Sequence, residues 1–313
     1  MTQEKIQSLG KLPRGARIKA LVDIEDVDGV VCAALIFKRF PRAIVESGSA
    51  KRRGMSGEYN VIADLPLLKS LRTHTWVDHH RNAVQEGECV EKIYDPSARS
   101  AANLLASYLG MRESELVELA DRADSVSYLT EPPLGLEGDY DLAWDINDAV
   151  KAISSSEQFR ELARTLAFEE LAAVRKKFRE ELSHTRGLRR RAEDAVQMIS
   201  KKMEEQGSDS LIMFMPPIER RGSTVSGHIV FFLYRRGVKA AAVFFEGGCW
   251  LTARKDFHKM NPSKIAERFG GGGHQRSAVA PIGQEKLGDI RREFEKAGLK
   301  PIVIDLRKVR WGD

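Results

Sequence analysis

The sequence predicts an α/β chain of two units, a first built on a parallel sheet and a smaller second one, joined by helices. Three observations carry this. Short apolar runs alternate with helical patterns as far as Ala123, a long polar helix-favouring stretch follows, and a second alternation begins beyond Gly207. At 313 residues the length suits about two domains, each able to bury its own core.

Residues 17–22, 43–45, 59–63, 75–77 and 90–94 read as strands of the first unit. Between and after them, 29–40 carries Val30, Ala33, Ala34 and Phe37 at helical spacing, and 97–108 and 113–123 are amphipathic. Strands interleaved with helices imply parallel pairing and a sheet covered on both faces. Ligands of such sheets bind beyond the carboxyl ends of the strands. Pro132, Pro133, Gly135 and Gly138 mark a loop, and residues 156–206 read as a helical connector. The second unit takes strands near 211–215, 240–245 and 250–253 and helices near 223–235 and 262–269. The expected boundaries are 1–145, 146–207 and 208–313.

Composition narrows the function classes. No apolar run approaches the roughly 20 residues of a membrane-spanning helix. Residues 1–20 mix Glu4, Lys5, Lys11 and Arg14 with Gly and Pro rather than forming a signal peptide, which predicts a cytoplasmic location. Three cysteines, odd in number and without CxxC spacing, argue against a disulfide framework and a structural zinc site. A net charge of +5 is compatible with an anionic partner without naming one. The basic stretch with Arg175, Lys176, Lys177, Arg179, Arg186, Arg189, Arg190 and Arg191 reads as a solvated helix face, with a nucleic-acid contact as the alternative.

The chemistry lies in an acidic and histidine constellation. Asp26-Val27-Asp28-Gly29 follows the first strand, Asp64 follows the third, Asp78-His79-His80 follows the fourth, and Asp124 ends a helix. Any one of these is most simply a turn or cap residue. Together, carboxylates converging on one sheet edge repel unless a divalent ion neutralises them, and oxygen ligands with one or two imidazoles favour Mn²⁺ or Mg²⁺. Such a site suits metal-assisted hydrolysis of a phosphoester.

This ordered set resembles the DHH phosphoesterases, with Asp78-His79-His80 as the naming triplet and Asp26-Val27-Asp28-Gly29 as DxDG. Gly270 to His274 resembles the glycine-rich signature of the DHH-associated C-terminal domain, and Arg254 stands where that domain usually has an arginine. Ser277-Ala278-Val279 departs mildly from its usual Ala-Ala-Gly. The family includes RecJ-like exonucleases, oligoribonucleases, cyclic dinucleotide phosphodiesterases and polyphosphatases.

The resemblance implies Asp26, Asp28, Asp64, His79 and Asp124 as ligands of two Mn²⁺ or Mg²⁺ ions, with Asp64 bridging. It implies His80 facing substrate phosphate and Asp78 orienting a neighbouring imidazole. Arg254, Gly271, Gly272, Gly273 and His274 would hold substrate, the glycine amides approaching a phosphate or ribose. The implied activity is phosphodiester or exonuclease hydrolysis of short single-stranded oligonucleotides. The alternatives are a phosphomonoesterase or polyphosphatase and a degenerate nucleic-acid-binding member. Family members often form dimers, and no feature here fixes the oligomeric state. One departure matters: many members have a histidine where this chain has Ile24, which leaves the second ion's ligand set short. Asp23 or Glu25 could substitute as an oxygen ligand completing a Mn²⁺ shell, but strand alternation points both away from the direction of residue 24.

Overall fold

The computed structural model describes residues 9–49, 54–80, 83–111, 115–125, 142–153, 155–216 and 223–308. The loop expected around Pro132 to Gly138 lies outside them, as do the side chains of Arg186, Arg189 and Arg190. The described chain divides into two compact units, one running up to Leu182 and the other from Ser183 on.

The first unit holds strands β1 (Lys19–Asp23), β2 (Ile44–Gly48), β3 (Gly57–Ala63), β4 (Leu71–Asp78) and β5 (Glu88–Tyr94). They form an all-parallel sheet in the order β2-β1-β3-β4-β5. β1 is buried from Ala20 to Asp23, as a central strand should be, whereas edge strand β5 alternates and leaves Val90 exposed. The strands alternate between two clusters. Ala20, Val22, Val61, Ala63 and Val77 join the main core, and Leu21, Ile62 and Trp76 join a smaller one on the opposite face.

Helix α1 (Val27–Arg39) is buried from Val27 to Phe37 because it lies inside the main core, against β1 and against α2 (Ala101–Tyr108), α3 (Glu115–Asp124), α4 (Leu142–Ala152) and α5 (Ser156–Phe168). Among the described residues these helices share the main cluster, and the other face is closed by Leu65, Leu67, Met55 and Leu68 from loops. The sheet is thus covered on both faces, by helices on one and by loop residues on the other. Among the described residues of 64–70 and 79–87, which connect β3 to β4 and β4 to β5, there is no helix on the second face.

The helical stretch expected over 156–206 is α5, α6 (Ala172–Lys177) and α7 (Arg179–Gln206). Its first part packs into the first unit. Phe159, Leu162, Ala163 and Leu166 of α5 are core residues, and Arg175 pairs at 2.6 Å with the buried carboxylate of Asp145. Phe178 and Leu182 extend the same core.

In the second unit β6 (Ser210–Phe214), β7 (Ala240–Phe245), β8 (Gly248–Ala253), β9 (Gly272–His274), β10 (Ser277–Ala280) and β11 (Ile302–Asp305) form a mixed sheet, ordered β11-β6-β7-β8-β10-β9. It is accompanied by α8 (Ser223–Arg235), α9 (Pro262–Glu267) and α10 (Leu287–Lys296). Ile290 and Phe294 of α10 fill its core. No helix among the described residues is long and apolar enough to cross a membrane.

Candidate metal centre

The site forms at the carboxyl ends of β1, β3 and β4, with the N-terminus of α1, the N-terminus of α2 and the end of α3 closing around it. Asp26 caps α1, accepting the Gly29 amide at 3.0 Å. Gly29 is obligatory for packing: a Cβ there would stand 2.1 Å from the Asp23 carbonyl oxygen, so the first turn of α1 approaches β1 only without a side chain. Asp28, one residue earlier, is buried, and its two oxygens accept the Ala101 and Ala102 amides at 2.6 and 2.8 Å. These are the first free amides of α2, where the helix dipole favours a carboxylate.

Asp64 follows β3 and is fixed by its amide, which donates to the Val77 carbonyl at 2.9 Å. The indole N–H of Trp76 holds the next residue, donating to the Leu65 carbonyl at 2.9 Å. Asp64 has φ 59°, the one positive φ outside glycine among the described residues. Its side chain is buried, and neither carboxylate oxygen makes a hydrogen bond. A buried carboxylate without donors is expensive unless a cation meets it.

His79 supplies the nitrogen. Its Nδ1 lies 3.2 Å from the Ala98 carbonyl oxygen, which can only accept, so in the neutral ring Nδ1 carries the proton and Nε2 the lone pair. That lone pair faces Asp28 at 3.5 Å and Asp124 at 3.6 Å. One donor atom from each of Asp28, Asp64 and His79 lies within 4.8 Å of the others, and the same holds for Asp23, Asp26 and Asp64. An imidazole lone pair among carboxylates is a donor set for Mn²⁺ or Mg²⁺, and it fits the carboxylates' own energetics. Burial, then the charges of Asp124 and Asp26, push Asp28 well above the carboxylate range, and burial with the charges of Asp28 and Asp26 does the same to Asp64.

Asp78 has a different task. Its Oδ1 accepts the His79 amide at 2.7 Å, the His80 amide at 3.0 Å and His80 Nδ1 at 2.9 Å, so it shapes the turn and aims the His80 ring. Burial acts to lower the His80 pKa, but the hydrogen bond and charge of Asp78 prevail and raise it to about 9. His80 is 43% exposed and faces Asp64 at 3.7 Å.

No protein-family model and no curated protein sequence matches the chain. Solved structures do match. A pGpG-specific phosphodiesterase, PggH of Vibrio cholerae, superposes with a TM-score of 0.55 at 15% identity, covering 88% of this chain and 96% of that one. RecJ of Thermus thermophilus in complex with Mn²⁺ gives 0.56 at 12% identity over 92% of this chain, which spans about half (54%) of that enzyme. An exonuclease RecJ bound to manganese gives 0.50 at 15% identity, over 91% of both chains.

The fold is that of the DHH-family phosphoesterases.

On this DHH fold, the structure brings Asp26, Asp28, Asp64, Asp78, His79, His80 and Asp124 together at one sheet edge. In the second unit the glycine signature is built into the end of α9 and a hairpin. The amides of Gly270 and Gly271 close α9, donating to Glu267 and Ala266 at 3.1 and 2.9 Å. Gly272 and Gly273 pair with β10 in a hairpin ending at His274. A Cβ at Gly271 would meet the Val279 carbonyl oxygen at 2.1 Å, and one at Gly273 the Ser277 carbonyl oxygen at 2.6 Å. These two glycines are therefore accounted for by close strand packing. Arg254 is engaged by Asp256, its Nε and Nη2 donating at 2.6 and 2.9 Å.

Sequence reasoning missed three supports and misplaced one residue. The Ala98 carbonyl sets the His79 tautomer, Ser100 caps α2, and Asp121 accepts the Ser100 hydroxyl at 2.6 Å and the Asn103 amide group at 3.0 Å, tying α3 to α2. The Asp121-x-x-Asp124 spacing, one helical turn, was the available signal for the last. Asp23 is the correction: it turns into the acidic cluster, because strand geometry ends with it and its Oδ1 accepts the Glu25 amide at 2.9 Å in a tight turn.

Proposed function

We propose that the chain is a divalent-metal-dependent phosphoesterase of the nuclease and phosphodiesterase kind, hydrolysing short single-stranded oligonucleotides or related nucleotide phosphodiesters. One observation carries it: the His79 Nε2 lone pair, aimed by Ala98, faces Asp28 and Asp124 beside an Asp64 carboxylate with no hydrogen bond. The named activities of PggH and RecJ support the same reading, as do the Mn²⁺ and Mg²⁺ complexes of RecJ.

Asp28, Asp64, His79 and Asp124, with Asp26, are the residues that would hold the metal. Bound there, a divalent cation supplies an acidified water and polarises the phosphoryl oxygens. The protein supplies the rest. Asp28 is held rigidly by two α2 amides, so the donor set is organised before substrate arrives. In the ion-free site the hydrogen bond and charge of Asp78 raise the His80 pKa to about 9, which favours the imidazolium. Its Nδ1 proton belongs to Asp78, leaving the Nε2 proton to meet a phosphoryl oxygen as negative charge grows. Substrate contacts on the second unit are proposed for Arg254, Gly271, Gly272, Gly273 and His274. Arg254 would exchange the exposed Asp256 for phosphate, a small loss for a surface pair.

Hydrolysis of a 5′-labelled short RNA and its DNA equivalent, with Mn²⁺ and with chelator, tests this. Stepwise mononucleotide release, lost with chelator and in His79→Ala and Asp124→Ala, is expected. Phosphate release without nucleotide products points instead to a phosphomonoesterase or polyphosphatase, and binding without metal-dependent turnover to a degenerate member.

A further inference from the structure

We propose that Asp23 is a metal ligand of this chain's own making: with Asp26 and Asp64 it forms a second, all-carboxylate cation site in place of the imidazole missing at position 24. The inference rests on the phosphoesterase reading and concerns the composition of its metal centre.

Four observations lead there. Ile24 is excluded, since its side chain packs on the main core while its amide is tied to the Gly48 carbonyl at 2.9 Å. Glu25 is turned elsewhere, its carboxylate accepting the Ser49 hydroxyl at 2.6 Å and its carbonyl accepting Lys151 Nζ at 2.6 Å. Asp23, by contrast, is buried at the end of β1, with a carboxylate oxygen within 4.8 Å of donor oxygens of both Asp26 and Asp64. Its hydrogen bonds from the Glu25 and Ile24 amides use part of a carboxylate's accepting capacity. The fourth observation is Asp64, 2% exposed, neither of whose oxygens makes a hydrogen bond. It belongs both to this cluster and to that of Asp28 and His79, so one buried carboxylate faces two groups of donors.

The chemistry of the two groups differs. Asp28, Asp64 and His79 mix oxygen with nitrogen and suit Mn²⁺ over Mg²⁺, whereas Asp23, Asp26 and Asp64 offer oxygen alone, which Mg²⁺ accepts readily. The two ions of the centre are therefore inequivalent, and Mg²⁺ displaces Mn²⁺ first from the Asp23 site.

The test counts ions. Full-length protein, stripped with chelator, is titrated with Mn²⁺ by calorimetry and by the loss of the free-ion electron paramagnetic resonance signal. Wild type binds two ions; Asp23→Asn, which keeps the acceptor for the Glu25 amide, binds one, and Asp23→His binds two with the second less readily displaced by Mg²⁺. Circular dichroism of the stripped variants checks that each is folded. Two ions bound unchanged by Asp23→Asn, or one ion bound unchanged by it, overturns the proposal while leaving a metal-dependent phosphoesterase in place. No Mn²⁺ bound by wild type overturns both.

Discussion

His79 Nδ1 lies 3.2 Å from the carbonyl oxygen of Ala98, so a main-chain atom two residues before the Ser100 cap of α2 decides which ring nitrogen faces Asp28 and Asp124. The ring is aimed by the backbone that also presents two amides to Asp28. Ligand and ligand support are parts of one helix N-terminus.

Replacing His79 by alanine removes the one imidazole facing Asp28 and Asp124, and turnover on oligonucleotide is expected to fall about 100-fold or more. The fold is expected to survive, since the main-chain pairing of β4 is untouched. Steady-state kinetics beside far-ultraviolet circular dichroism check both halves.

Asp78→Asn keeps an oxygen for the His79 and His80 amides but loses the charge that holds His80 protonated. The His80 pKa is expected to drop from about 9 toward its ordinary value. Turnover should fall roughly 10- to 100-fold, and the alkaline limb of the pH profile should move to lower pH. Nuclear magnetic resonance titration of the His80 ring reads the shift directly.

The metal-free protein should be more stable at pH 5 than at pH 9. Burial, then the Asp26 and Glu25 charges, raise Asp23 from an ordinary 3.8 to about 7, so the folded state holds a proton that the unfolded chain has released and stability declines through that window. Protonated His80 contributes stability below 6.5, lost as pH rises through about 9, which acts in the same direction. Denaturant midpoints in chelator across this range check the sign; a rise with pH would contradict it.

Gly29→Ala places a Cβ 2.1 Å from a backbone oxygen that no rotamer change can move, so it is expected to cost about 1–3 kcal/mol or more and to disturb the Asp28 turn. Gly227→Ala on α8 meets nothing within 4 Å and should be neutral or stabilising by about 0.5–1 kcal/mol. Paired thermal melts compare them.

The strands of the parallel sheet and α1 were legible because their burial is periodic: Ala20 and Val22 against Leu21, or the continuous apolar run of α1, leave a pattern in the letters. The acidic positions were legible because strand ends expose them in order along the chain. What was not legible depends on turns and distant backbone. Asp23 is a candidate oxygen ligand in the sequence, but its direction is not legible, because alternation is a property of strands and β1 stops at that residue. The Ala98 carbonyl carries no side-chain signature at all. Strands β9, β10 and β11 are three or four residues long, too short for periodicity, and the glycines of β9 resembled a ligand loop while Gly271 and Gly273 serve the approach of β10. The helical stretch after Ser156 was visible as helix, but its partition into α5, α6 and α7 turns on Phe159 and Phe178 finding the first core.

The buried carboxylate of Asp64, which accepts no hydrogen bond, makes the folded chain a gauge of its ionic surroundings. Mass action adds about 2.7 kcal/mol to folding when an ion that binds only the native state stands at 100 times its dissociation constant. Survival of the chain under heat or proteolysis would then track the free divalent cation around it, and scarcity of the ion would be felt as loss of protein before it was felt as slow turnover.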